Sequence, residues 1–192
     1  MRIILAVTGA TGAVYAARAL RYLSGRTDVE VHLVMSRWAK ETLRLETGED
    51  AEALLRLADV VYEEQDVSAA IASGSYPVDA MAVLPCSMKP LSAIANGYSD
   101  GLIARAADVT MKEGRKLVLA VRETPLSAIH LENMLKLARL GVVIMPPVPG
   151  FYSGTSTVEG LVDTFVGRLL GQLGVENELI RPWNGPEERT CR

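Results

Sequence analysis

The 192-residue chain has little of what usually announces a protein's class. No apolar run approaches the roughly 18 residues a bilayer-spanning helix needs, so no membrane protein is expected. Cysteine occurs only at Cys86 and Cys191, far apart and outside any Cys-x-x-Cys spacing. A disulfide framework or cysteine-based metal site is therefore not indicated, and a reducing cytoplasm is the default expectation. Histidine is as scarce: His32 alternates within an apolar run and His130 falls in a helical segment, and neither has a neighbour suggesting a dyad. Positive charge is not in excess. With 20 Lys and Arg against 23 Asp and Glu, the net charge of -3 offers no field for a nucleic-acid backbone. The opening "MRIILAVTGA" has one arginine and an apolar run broken at Gly9, too short and wrongly flanked for a signal peptide. There is no internal repeat, low-complexity tract or linker.

What remains is ordinary globular composition, 49% apolar and 22% charged, at a length that supports one domain with a real core. Residues 1–183 are expected to form that domain. The polar run "PWNGPEERTCR" begins at Pro182, and residues 184–192 are expected to be a loosely held tail.

Short apolar runs recur at Ile3–Val7, Val31–Met35, Ala80–Leu84, Leu117–Val121 and Val142–Met145. Runs of this length, rich in Val, Ile and Leu, fit parallel strands covered on both faces. The segments between them are long enough for crossover helices, so the pattern predicts repeated βαβ units: an α/β, doubly wound, mainly parallel sheet. Ser127 is placed to cap a helix over Ala128–Arg139, with Gly141 at its stop. Ser156 followed by Glu159 has the capping-box spacing. After it, Val158, Leu161, Val162, Phe165, Val166, Leu169 and Leu173 form a stripe at helical period.

In open α/β sheets, ligands bind beyond the carboxyl ends of the strands. The segments there are "TGATGA" (8–13), Ser36 with "RWAK", "PCSMKP" (85–90), "RETP" (122–125) and "PPVPGFY" (146–152). Five hydroxyl-bearing, charged or proline-stiffened loops on one rim predict a composite site. In "TGATGA", Gly9 and Gly12 let the backbone turn sharply, and the following helix aims free N–H groups at an anion. The GxGxxG pattern is absent and the second strand ends in Ser36 rather than an acidic residue, so a mononucleotide phosphate fits better than a dinucleotide. A ligand-free tight turn fits equally well. "PCSMKP" offers Ser87 and the amides of a second helix start. Cys86 is either an acid or nucleophile near that helix or, the expectation here, a small buried hydrophobe. Arg105 and Lys112 lie two turns apart on one helix face, the pattern of a solvated charge face. Arg168 falls within about 20° of Leu161 on a helical wheel. Either it snorkels to water or it meets an anion.

Taken together, "TGATGA", "LVMS", "ASGS", "PCSMK" and the run from "RAADVTMKEGRK" through "RETPLSAIHLENM" to "PPVPGFY" resemble the flavin prenyltransferases, the UbiX/Pad family. The similarity runs from Ile3 to about Trp183 and is nearest to the branch paired with hydroxybenzoate or phenolic acid decarboxylases. It implies a Rossmann-like flavoprotein, a three-layer sandwich that binds reduced FMN and joins a dimethylallyl group, from the monophosphate, to flavin N5 and C6. The product, prenylated FMN, would serve a partner UbiD-type decarboxylase. The resemblance further implies homo-oligomers, trimers grouped into dodecamers, with sites between subunits.

Carried over by position, Gly9, Ala10 and Thr11 would hold the flavin through the first loop. Ser36, Ser87, Met88, Lys89 and Pro90 would border it, and Arg122 would contact it. Ser73, Gly74, Lys112, Arg122, Tyr152 and Arg168 would hold the prenyl phosphate. Glu46 and Glu123 match family acids that handle protons, and Lys112 joins them as a catalytic candidate. No DDxxD cluster stands ready for Mg²⁺ and a diphosphate, so no metal is expected and cations of the chain would stabilise the leaving group. Three departures stand out: Thr11 replaces a common serine, Pro90 replaces a threonine, and a tryptophan found before "ASGS" in some members is missing. Two other readings compete. One is a non-catalytic FMN-binding subunit of a decarboxylase, which would not need the phosphate-site residues. The other is an FMN-dependent cysteine-type decarboxylase, whose PxMNxxMW clamp this chain lacks.

Overall fold

The computed structural model describes residues 1–151 and 154–180. Six parallel strands make one sheet in the order β3-β2-β1-β4-β5-β6, with β1 Arg2–Val7, β2 Glu30–Met35, β3 Val60–Tyr62, β4 Ala80–Cys86, β5 Lys116–Val121 and β6 Val143–Ile144. Seven α-helices cover it among the described residues: α1 Ala13–Ser24, α2 Arg37–Thr47, α3 Ala51–Leu55, α4 Met88–Ala95, α5 Leu102–Lys112, α6 Ala128–Arg139 and α7 Val158–Leu173. This is the doubly wound α/β sandwich that the apolar runs predict.

The strands read as continuous apolar runs because both faces are covered. On one face Ile3, Leu5 and Val7 of β1 join Leu20 and Leu23 of α1 and Phe165, Val166 and Leu169 of α7. On the other, Ile4 and Ala6 join Leu91 and Ile94 of α4 and Leu102 and Ala106 of α5. Each large apolar side chain fully withdrawn from water contributes about 1.5–3 kcal/mol, and this two-sided burial is the main force holding the layers together.

Four local details differ from expectation. The strand Val60–Tyr62 is unforeseen: it has three residues between Asp59 and the pair Glu63 and Glu64, lies at the sheet edge, and pairs with His32–Val34. The last strand shrinks from Val142–Met145 to Val143–Ile144. Helix α7 is capped by Thr157, whose side chain accepts from the Gly160 N–H at 3.1 Å, rather than by Ser156. With the start one residue later, Val158 lies in the exposed first turn instead of the apolar stripe. The Ser127 cap is as predicted and is reciprocal. Ser127 Oγ accepts from the His130 N–H at 3.3 Å, while His130 Nδ1 accepts from the Ser127 N–H at 3.2 Å. His32 is fully buried between Tyr62 and Glu30. Both histidines are therefore structural.

From β1 the chain winds outward to β2 and β3, then crosses back to β4 and on to β5 and β6. The order reverses between β1 and β4, and a crevice opens beyond their carboxyl ends. Strand β4 carries Pro85 in the middle of the sheet, which a regular ladder does not tolerate. The register accordingly slips between Val83, opposite Leu119, and Cys86, opposite Val121. That irregularity brings the Pro85 carbonyl to the loop after β1.

Candidate active site

Two loops meet at the reversal, and Thr8 joins them. The buried Thr8 hydroxyl donates to the Pro85 carbonyl at 2.7 Å and accepts from the Ser87 N–H at 2.9 Å. Next to it, Gly9 packs against the start of α2. A Cβ on Gly9 would overlap the Trp38 side chain and lie 3.2 and 3.3 Å from that residue's carbonyl carbon and Cα. Glycine is what lets the first loop lie against α2.

These contacts frame a cleft of about 620 Å³ at the carboxyl edge. Its size is in the range of small-molecule sites, about 300–1,000 Å³. Gly9, Ser36, Ser87, Lys89 and Pro90 line it, together with Thr8 and Trp38. The far wall is the connection between α4 and α5, with Asn96, Tyr98 and Asp100, joined by Glu64. Tyr98, Asp100, Asn96 and Glu64 were not foreseen from the sequence, whereas Thr8 and Trp38 belong to rim segments that were, without being singled out. The only available signal for the far wall was the turn-rich "NGYSDG" between two helices.

The two helices that point into this cleft differ at their N-termini. Ser36 caps α2, its Oγ accepting from the Ala39 N–H at 3.1 Å. Ser87 occupies the cap position of α4, but its hydroxyl makes no capping bond. The Lys89 amide thus keeps no side-chain acceptor from Ser87, and it and the hydroxyl, both of residues lining the cleft, are free to meet a polar ligand edge. Pro90, third in the helix, loses nothing locally, because an N–H in the first turn has no intrahelical partner.

Helix α1 was expected to offer its free amides to an anion, and here the chain supplies the anion itself. The Glu46 carboxylate, from the last turn of α2, accepts from the Gly12 N–H at 2.9 and 3.0 Å and from the Ala13 N–H at 2.8 Å. It also accepts from the Thr11 hydroxyl. Gly12, at φ 106°, supplies the left-handed turn that presents these donors. Ala10 and Thr11 do not line the cleft, and Thr11 is turned toward Glu46.

The remaining predicted residues fall into separate places. At the end of β5 the Arg122 N–H donates to the Cys86 carbonyl at 3.0 Å. The Arg122 guanidinium has no acidic partner among the described residues, and Glu123 is exposed, its carboxylate accepting from the Thr124 N–H at 3.0 Å. The two neighbours do not pair with each other. Neither Arg122 nor Met88 lines the cleft. Ser73, Gly74 and Lys112 do come together, but at the opposite end of α5: the Lys112 ammonium lies against Gly74 and pairs with Glu113. About 12 Å of helix rise separates Lys112 from Ala104, which borders the cleft. Arg168 is exposed, ten residues into α7. Tyr152, and the tail from residue 181, lie outside the described residues.

Cys86 is fully buried at the end of β4, and burial pushes its thiol up to about 12. It is neutral at physiological pH and takes no part as a nucleophile. The Lys112 ammonium holds Glu113 below the usual carboxylate range. Among the described residues no helix is long and apolar enough to cross a membrane.

A model of the flavoprotein family matches residues 1–170. The chain is 51% identical to the flavin prenyltransferase LpdB of Lactiplantibacillus plantarum over 184 residues, 96% of this chain and 98% of the relative. Among solved structures, it superposes with a TM-score of 0.94 on a dodecameric FMN-dependent UbiX-like decarboxylase from Escherichia coli O157:H7, at 51% identity over 96% of this chain and 100% of that one. It matches AnUbiX in complex with FMN and dimethylallyl pyrophosphate equally well, with a TM-score of 0.94 at 49% identity over 97% of this chain and 98% of that one.

Proposed function

We propose, from the premise that the chain belongs to the flavoprotein family and within it to the UbiX-like flavin prenyltransferases, that it transfers a dimethylallyl group from dimethylallyl monophosphate to N5 and C6 of reduced FMN. The observation that carries this reading is the cleft at the β1/β4 reversal, with the unused Ser87 hydroxyl and the Lys89 amide at a space sized for a flavin nucleotide. FMN supplies the electron-rich centre that is alkylated. The chain's part is to hold the acceptor and to stabilise the departing phosphate.

In this reading Gly9, Ser36, Ser87, Lys89 and Pro90 bind FMN, and Arg122, at the mouth of the same rim, meets its polar edge. Ser73, Gly74 and Lys112 hold the donor phosphate, joined by Tyr152 and Arg168, with cations doing the work a metal does elsewhere. In the same reading Glu123, exposed at the strand end, exchanges a proton with that phosphate. One copy of the chain keeps Lys112 and the cleft at opposite ends of α5, so the complete site is assembled between copies. The E. coli structure with which this chain shares 51% identity is dodecameric, and we propose a dodecamer here as well, built from trimers. The product passes to a UbiD-type decarboxylase, and the setting is the cytoplasm.

The test is anaerobic incubation with reduced FMN and dimethylallyl monophosphate, or separately the diphosphate, followed by mass spectrometry of the flavin. Flavin carrying a C5 prenyl group is expected. Unchanged flavin with both donors rejects the reading and leaves an FMN-binding subunit in its place.

A further inference from the structure

The segment "ASGSY", 72–76, starts on the last residue of a 3-10 turn, Ala70–Ala72, and has no regular structure beyond it, yet its backbone is held at three alternate carbonyls. Arg105 Nε donates to the Ala72 carbonyl at 3.1 Å. Arg115 Nη2 donates to the Gly74 carbonyl at 2.7 Å, and Arg115 Nη1 to the Tyr76 carbonyl at 3.0 Å. The carbonyls of residues 72, 74 and 76 thus turn toward the arginines. The side chains between them, Ser73 and Ser75, lie together with their hydroxyl oxygens 2.9 Å apart. A Cβ on Gly74 would strike the Lys112 ammonium and the Glu113 carboxylate, so the ammonium rests directly against the loop.

We propose that Arg115 is the positioning residue of the donor-phosphate site. It sets the Ser73–Ser75 loop at the height where those hydroxyls and the Lys112 ammonium address one phosphate group together. The inference rests on the prenyl-transfer reading for the identity of that phosphate, an allylic monoester. The choice of side chain supports it. A planar guanidinium presents two parallel donors that reach carbonyls two residues apart, while an ammonium offers one point of attachment. Arg115 is half-buried and makes no ion pair among the described residues, so its donors are committed to the loop rather than to a carboxylate. Its position just past Gly114, where α5 hands over to β5, ties the loop to the sheet as well as to the helix carrying Lys112. Arg115 does not line the cleft, so its contribution falls on donor binding and not on FMN.

The experiment compares Arg115→Met and Arg115→Lys in the full chain loaded with FMN. Three quantities are read: hydrogen exchange of residues 72–77, the FMN dissociation constant, and KM and kcat for dimethylallyl monophosphate. Arg115→Met should raise KM by about tenfold or more, the scale of lost hydrogen bonds to a charged group. It should leave kcat and FMN affinity within about twofold to threefold, and speed exchange in the loop. Arg115→Lys, which keeps one attachment, should recover part of the KM. If Arg115→Met does not fold, the KM and loop exchange of Arg115→Lys, intermediate or unchanged, decide alone. Unchanged KM with unchanged loop exchange overturns the proposal, and so does a parallel loss of donor and FMN affinity, the mark of a merely structural arginine. Should the wild type add no prenyl group to FMN, the functional reading fails separately. Phosphate titration followed by ³¹P NMR then decides for Arg115: binding weakened in the Met variant supports its role, and equal binding removes it.

Discussion

Thr8 and Ser87 are bound across the reversal of the sheet, the Thr8 hydroxyl accepting from the Ser87 N–H at 2.9 Å while it donates to the Pro85 carbonyl at 2.7 Å. One buried hydroxyl therefore fixes the separation of the two loops that floor the cleft. Replacement by valine keeps the shape and removes both bonds, leaving the Ser87 N–H without its acceptor. A loss of about 1–3 kcal/mol follows, which for a chain of this size lowers Tm by roughly 2–12 °C. FMN affinity should fall by about tenfold as the α4 amides lose their register. Thr8→Ser keeps the hydroxyl and should stay close to wild type. Calorimetry and flavin titration of the two variants check this, and a valine variant with full FMN affinity would remove Thr8 from the site.

Gly9→Ala addresses the same floor from the other side. The new methyl would meet backbone atoms of Trp38, which cannot rotate away as a flexible side-chain tip can. The first loop must lift from α2, at a cost of about 1–3 kcal/mol, the usual penalty of overpacking. Fluorescence of Trp38 should change in the apoprotein, and FMN titration should show weakened binding. Unaltered emission together with unaltered affinity would mean the loop accommodates the methyl without moving.

The layered sheet was legible in the sequence because strands buried on both faces have to be apolar throughout, as Leu117–Val121 is. Strand Val60–Tyr62 was not, since three residues at an edge carry no period. Thr8 stood in plain view within "TGATGA", but nothing local says that its hydroxyl faces a carbonyl 77 positions away; that depends on the irregular pairing around Pro85. For the same reason Glu46 could be matched to a family acid but not to the α1 amides, which it meets only once α2 packs beside α1. The far wall formed by Asn96, Tyr98 and Asp100 exists only through the packing of α4 and α5. The separation of Lys112 from the cleft follows from α5 running its length between them, and spacing along the chain cannot show it.

Glu46 offers a discriminating variant. Glu46→Gln keeps one carbonyl oxygen but presents an NH₂ group to amides that are themselves donors, so part of the α1 cap is lost. A loss of about 1–2 kcal/mol is expected, or a Tm lower by roughly 2–8 °C, with FMN still bound and prenyl transfer slowed. Melting identical to wild type would show that the carboxylate contributes little to the cap. Full activity would exclude Glu46 from the reaction.

Cys86 supplies the pH dependence. Its thiol titrates near 9 when the chain is unfolded and is pushed up to about 12 in the fold, because burial disfavours the thiolate. Below pH 9 both states hold the proton and the thiol contributes nothing to the pH slope. Between about 9 and 12 the unfolded chain gives up a proton that the folded chain retains. Stability therefore drops as pH rises, by up to about 1.4 kcal/mol per pH unit from this one group. Cys86→Ala removes that slope. Denaturant midpoints measured from pH 8 to 10.5 should fall more steeply for wild type than for the alanine variant, which starts lower from the small cavity it leaves. The variant should retain prenyl transfer, and iodoacetamide should leave Cys86 unmodified in the native protein while labelling it after unfolding. Parallel pH slopes, or native-state alkylation of Cys86, would show that the thiol is not sealed at the end of β4.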